Sequence, residues 1–120
     1  MYGKKNWVFC DGDMPPKGDN PDFPGHEALM ITNVSPDDAK IRIKILFEDQ
    51  PPYDKITLEL KGERTICLRL DKPIGNEGYQ IPYGQYAIHV ISDVPVVACF
   101  GRLDVRQTNM AYYSPAGYGF

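Results

Sequence analysis

Long apolar runs are missing from this chain. No stretch approaches the ~20 residues a helix needs to cross a bilayer. The N-terminal MYGKKNW carries a charge pair without an apolar core, so it does not read as a signal peptide. The expectation is a soluble, cytoplasmic protein with no membrane insertion. Helical periodicity is missing too: nowhere do apolar residues recur at helix spacing for three turns. Histidine is limited to His26 and His89, and cysteine to Cys10, Cys67 and Cys99. No cysteine pair has the CxxC spacing of the usual zinc sites. GxSxG, HExxH and a glycine-rich phosphate loop are all absent. On that basis no metal, no cofactor and no catalytic constellation are expected. The thiols are odd in number and widely spaced, and two of them lie inside apolar strand patterns. They are expected to be buried and free, in a reducing compartment. Positive charge is in deficit as well: 13 Lys and Arg against 16 Asp and Glu leave a net charge of −3. Nucleic acid and anionic membrane are therefore not indicated as dominant partners, although a local basic patch stays compatible with this balance.

What the chain does have is punctuation. Eleven Pro and eleven Gly are spread along 120 residues, which suits many short strands joined by turns. The length fits one domain able to bury roughly two-thirds of its unfolded surface. Asn6 to Cys10 reads as a first strand, followed by a long loop over residues 11–25 (DGDMPPKGDNPDFPG). His26 to Asn33 is a second strand. Ala39 to Glu48 alternates most clearly, with Ile41, Ile43, Ile45 and Phe47 on one face and Arg42, Lys44 and Glu48 on the other. Ile56 to Leu60 and Arg64 to Leu70 alternate in the same way. A second long loop occupies residues 71–84, and a Tyr- and Gly-rich tail runs from Thr108 to Phe120. About seven or eight short strands at this spacing predict an all-β fold, an antiparallel β-sandwich.

The stretch from Tyr86 to Gln107 organises the rest. It reads as two apolar strands joined by a tight corner at Ser92-Asp93-Val94-Pro95, central in a sheet and covered on both faces. Beyond it, Arg102, Asp104 and Arg106 alternate with Leu103 and Val105, so the three charges share one face if the strand continues.

A guanidinium beside a carboxylate can fix the hydroxyls or the acid group of a polar ligand. Arg102, Asp104 and Arg106 are therefore candidate ligand-binding residues, with Arg64 and Arg69 able to add to them from a neighbouring strand. The same row is also the pattern of a salt-bridge ladder or a symmetric subunit contact. His26 and Glu27 open a strand after a long loop, a position where sites are built. Trp7, with Tyr79, Tyr83 or Tyr86, can supply an apolar platform for a sugar ring. His89 sits in an apolar strand and reads as a packed or interface histidine.

Several stretches together carry a resemblance. Trp7 with Gly12, Pro15-Pro16, His26-Glu27, Asn33, Asp38-Ala39, Asp49, Arg64, Ser92-Asp93-Val94-Pro95, and Arg102-Leu103-Asp104 with Arg106-Gln107 follow in the order and spacing of the sensory rhodopsin transducer family. The resemblance spans residues 6 to about 114. It implies a small β-sandwich, a homotetramer, no catalytic activity, and kinship with domains that bind small molecules such as sugars. The expected function is non-enzymatic binding of a small polar ligand, by Trp7, His26, Glu27, Arg64, Arg102, Asp104 and Arg106. The alternatives are a module that docks to a membrane receptor, or a sugar-modifying enzyme using His26 and Glu27.

Overall fold

The computed structural model describes residues 2–106 and 109–120. Gln107, which closes the RLDVRQ stretch, and Thr108, which opens the tail, lie outside them. The elements are β1 (Lys4–Met14), β2 (His26–Asn33), β3 (Ala39–Leu46), β4 (Tyr53–Leu60), β5 (Arg64–Arg69), β6 (Gly84–Asp104), β7 (Ala111–Tyr113) and β8 (Tyr118–Gly119). All pairings are antiparallel. One sheet has the order β4-β3-β6-β1-β8, and β5, β2, β6 and β7 make the other. The all-β sandwich read from the strand pattern is the fold observed.

Strand β6 corrects the hairpin expected at Ser92-Asp93-Val94-Pro95. The chain does not reverse there: β6 runs unbroken for 21 residues and passes from one sheet into the other. Its first half pairs with β1 and β3, and its second half with β2 and β7. The four corner residues fall where β1 skips from Asn6↔Ile91 to Lys4↔Val96. Pro95 therefore sits where that ladder needs no donor. Asp93 Oδ1 accepts the Lys40 N–H at 2.8 Å, and the Trp7 Nε1–H donates to the Val96 carbonyl at 2.9 Å, so side chains hold the bend in place of strand pairing. Turn chemistry is used here to change sheets.

Period-two alternation decides what is buried. Ala39, Ile41, Ile43 and Ile45 of β3 and Ile56, Leu58 and Leu60 of β4 point inward. They join Phe9, Leu29, Ile31, Ile88, Val90, Val96 and Phe100 in one hydrophobic cluster. Phe9 and Phe100 meet across the layers with ring centroids 6.0 Å apart. Each of the Ile, Leu, Val and Phe side chains contributes about 1.5–3 kcal/mol on leaving water.

Two further expectations fail by the same alternation. Cys10, Cys67 and Cys99 are all exposed, because each occupies the outward position beside an inward hydrophobe. Nor is β6 covered on both faces: Val97 is 42% exposed and His89 and Ile91 are half-buried. Strand β1 also runs four residues beyond Cys10, through a bulge between Phe9 and Gly12, so the first loop begins only at Pro15. Gly12 is needed there because the Tyr86 ring lies against its Cα, where a Cβ would clash.

Candidate ligand cleft

Glu27 is the second residue of β2, and alternation turns it inward with Leu29 and Ile31. Its relative exposure is 0%. Arg102 lies directly opposite in register on β6 and is 5% exposed. Arg102 Nε donates to Glu27 Oε2 at 2.8 Å, and the Asp13 N–H donates to the same oxygen at 3.0 Å. The Tyr86 hydroxyl donates to Glu27 Oε1 at 2.5 Å. Arg102 Nη2 reaches the Asp11 carbonyl at 2.8 Å, and the guanidinium stacks 4.8 Å above the Tyr113 ring. Burial, reinforced by the neighbouring carboxylate, pushes the Tyr86 hydroxyl far above its ordinary pKa, so it stays a neutral donor. Three strands and the β1 bulge are thus tied to one buried ion pair.

The charged row read from the sequence is split. Arg102 faces the interior with Ala98 and Phe100, and the register shows no bulge at Gly101. β6 ends at Asp104, so Arg106 lies beyond the strand and folds back locally. Its backbone N–H meets Asp104 Oδ1 at 2.9 Å, its Nε at 3.0 Å, and its Nη2 meets Oδ2 at 2.5 Å. Those bonds hold the Asp104 carboxyl below the usual aspartate range. His26 stands on the opposite face of β2 from Glu27. Its Nδ1 is 2.8 Å from the Pro24 carbonyl, and since a carbonyl only accepts, Nδ1 carries the proton. Glu27 has both oxygens occupied, so the two residues do not form an acid–base pair.

Five of the seven expected site residues, His26, Glu27, Arg102, Asp104 and Arg106, therefore gather at one end of the sandwich. Trp7 and Arg64 do not join them. Arg64 pairs with Asn33 at the far end of β2, and its Nη1 bonds the carbonyls of Gly62 and Glu63. Trp7 is at the β6 bend, stacked on Phe9 at 6.4 Å. Tyr86 is buried as a donor, and Tyr79 is stacked on Tyr53 at 3.8 Å. Of the aromatic partners considered for a platform, Tyr83 lines a cavity.

Two long loops close over this end. The Gly25 N–H bonds the Lys17 carbonyl at 2.8 Å, shaping residues 15–25 into a compact flap. The Leu70 N–H bonds the Glu27 carbonyl at 2.9 Å, which seats the start of the second loop beside the buried pair. Between the loops lies a cleft of about 590 Å³ lined by Lys17, Asp19, Asn20, Asp22, Arg69, Asp71 and Lys72. A second hollow of about 300 Å³, lined by Met14, Gln80, Ile81 and Tyr83, shares Lys17 and Asp71 with it. Arg69 and Asp71 form a two-pronged pair, Nε–Oδ1 2.9 Å and Nη2–Oδ2 2.8 Å. Lys17 and Lys72 enter no ion pair among the described residues. Ammonium donors, carboxylate and amide acceptors and a tyrosine ring converge here, a set suited to hydroxyl-rich or acidic small molecules. Sequence reasoning missed Lys17, Asp71 and Lys72. The signal was the pair of long Pro- and Gly-rich loops, each carrying charges with no partner in its own strand.

The architecture defines a class: an all-β sandwich, closed at one end by two loops over a polar cleft, with an ion pair buried beneath. The family model described as Anabaena sensory rhodopsin transducer matches residues 2–119, and the chain belongs to that family. Among solved structures, a Thermotoga maritima protein, "Crystal Structure of Thermotoga maritima 1070", aligns with a TM-score of 0.85 and 36% identity. That match covers 100% of this chain and 97% of the other. The Anabaena sensory rhodopsin transducer aligns with a TM-score of 0.68 and 29% identity, over 81% of this chain and 92% of its own. No curated protein sequence matches. Among the described residues, no helix is long and apolar enough to cross a membrane.

Proposed function

We propose that this protein is a non-enzymatic sensing module of a cytoplasmic signalling pathway. It binds a small polar metabolite of the sugar or sugar-acid class in the loop cleft and passes that state to a protein partner. The observation that carries the reading is the convergence of Lys17, Lys72 and the Arg69–Asp71 pair on one cleft of about 590 Å³. Paired guanidinium and carboxylate groups offer donors and acceptors together, as vicinal hydroxyls require. His26, Asp104 and Arg106 stand at the same end as outer contributors. Glu27 and Arg102 act from beneath, as the rigid support of the loops. Trp7 and Arg64, placed elsewhere, serve the bend and the far end of the sandwich. The chemistry of this reading is binding without turnover, and it is supported by His26 and Glu27, the acid–base pair offered by the sequence, facing apart.

The transducer family name supports a receptor as the protein partner. Assembly into a homotetramer is supported by the uncharged patch of Cys67, Met30, Cys99 and Val97 in the middle of the outer face of β5, β2 and β6. Light scattering on the purified protein checks the assembly. A thermal-shift screen against neutral sugars, sugar acids and nucleotides checks the binding. One sugar class should raise the transition by several degrees, saturably, and Lys72→Ala should abolish the shift while leaving the unliganded transition in place. A shift that survives Lys72→Ala and Asp71→Asn puts the ligand elsewhere. Turnover of any bound compound contradicts the non-enzymatic reading.

A further inference from the structure

We propose that the outward face of the sheet β4-β3-β6-β1-β8 is a docking surface for an anionic lipid bilayer. The register sets the groups side by side. Lys40, Arg42 and Lys44 alternate with the buried Ile41, Ile43 and Ile45 along β3, so all three cations point outward, and Lys55 joins them from β4. Across the sheet from Lys44 come His89 on β6, Val8 on β1 and Tyr118 on β8. In the adjoining row, Arg42 is followed by Ile91 and Asn6. Phe120 is bonded backbone to backbone with Asn6, at 3.0 Å in both directions. The Phe120 ring lies 6.0 Å from His89 and 5.7 Å from Tyr118. One face thus carries a basic stripe on β3 and β4 and, across His89 and Val8, an aromatic one.

Three observations mark this face as a surface waiting for an anion. The ion pairs among the described residues involve Lys61, Arg69, Arg102 and Arg106, and none of the four cations of the stripe. Among the described residues, the acidic groups beside it are three: Glu59, opposite Lys40, is held by Lys61 at 3.2 Å, Asp93 is engaged by the Lys40 backbone N–H at 2.8 Å, and Asp54 adjoins Lys55. The field is felt inside the sheet, where burial and then the charges of Lys44 and Arg42 lower the pKa of His89. The apolar part selects the kind of partner. Tyr118 is 70% and Phe120 53% exposed, and Leu46 and Ile91 extend the apolar ground beside the cations. A headgroup layer accepts cations, rings and aliphatic side chains together. A polynucleotide backbone leaves the aliphatic ones uncovered. The cellular sense of such docking rests on the receptor reading above, because a receptor's signalling face lies at that surface. Vesicles without any protein test the surface by itself.

The test is co-sedimentation of the purified full chain with phosphatidylglycerol–phosphatidylcholine vesicles, against pure phosphatidylcholine, at low and high salt. The expected result is reversible binding to the anionic vesicles alone, weakening steeply with salt. Arg42→Gln with Lys44→Gln should lower the binding constant about thirtyfold, at one lost electrostatic contact per residue. Phe120→Ala should weaken it without changing its salt dependence. Circular dichroism confirms that the variants are folded, and Lys72→Ala, in the cleft, should bind vesicles as the parent does. Binding to neither vesicle at low salt overturns the proposal. So does binding that Arg42→Gln and Lys44→Gln leave unchanged. Salt-dependent binding of a single-stranded oligonucleotide, without any to vesicles, assigns the face to nucleic acid instead.

Discussion

At the scale of single residues, the polar centre is the Glu27–Arg102 pair. An ion pair this deeply buried contributes little net stability beyond a hydrophobic replacement, but breaking it leaves a charge without compensation. Arg102→Leu should therefore cost about 3–5 kcal/mol in urea unfolding. The double variant Arg102→Leu with Glu27→Met should cost clearly less than the sum of the two single changes. Strict additivity would mean that the pair does not act as a unit. Trp7→Phe removes the bond to the Val96 carbonyl and trims the ring stacked on Phe9, and should cost at least about 1 kcal/mol. His89 sets a pH dependence. Its pKa is held below the ordinary histidine value, so on acidification the unfolded chain takes up the proton first. The stability tied to neutral His89 is complete above that range. It declines as pH falls through about 6.5, and levels off below the folded value. His89→Gln should flatten that segment of the stability–pH curve. Asp104, whose carboxyl is held down by Arg106, adds a loss that begins only at more acidic pH, in the carboxylate range.

At the scale of elements, the loops and the long strand carry the account. Gly25 packs so closely on the Pro16 carbonyl that a Cβ there must push backbone. Gly25→Ala should displace the flap of residues 15–25, at about 1–3 kcal/mol, and weaken ligand binding in parallel. Equal stability with unaltered binding would show that the flap does not shape the cleft. Strand β3 shows how much of this was legible beforehand: its alternating isoleucines name both the element and its buried face. Strand β6 shows the limit. Ser-Asp-Val-Pro reads the same whether a chain reverses or crosses between sheets. The difference lies in β1, which spans the bend through the Lys4↔Val96 register and through Trp7, bonded to Val96 89 residues away in sequence. The cysteines show the opposite weighting, because a residue type's preference for burial gave way to strand parity. The Arg102–Asp104–Arg106 row shares one face only where the strand continues; β6 ends at Asp104, and Arg106 turns back onto Asp104. Glu27 and Arg102 were named as site residues, but their direct register across β2 and β6 required the pairing itself.

At the scale of the whole molecule, three regions divide the work. The buried pair and the bend of β6 hold the two sheets together. The loop end offers a polar cleft, and the outward face of the first sheet offers a basic and aromatic plane. The resemblance seen in scattered motifs corresponds to a family match over residues 2–119, so the short motifs were informative jointly where each alone was weak. The cleft was not legible, because its residues converge from separate loops. The measurement that tests the central claim most directly is a backbone amide NMR titration of the labelled protein with the sugar or sugar acid that gives the largest thermal shift. Saturable shifts confined to residues 17–25, 69–72 and 80–83, with the far end around Asn33 and Arg64 unmoved, are the result this account predicts. Shifts centred away from those loops, or none at any concentration for every sugar and sugar acid tried, would contradict it.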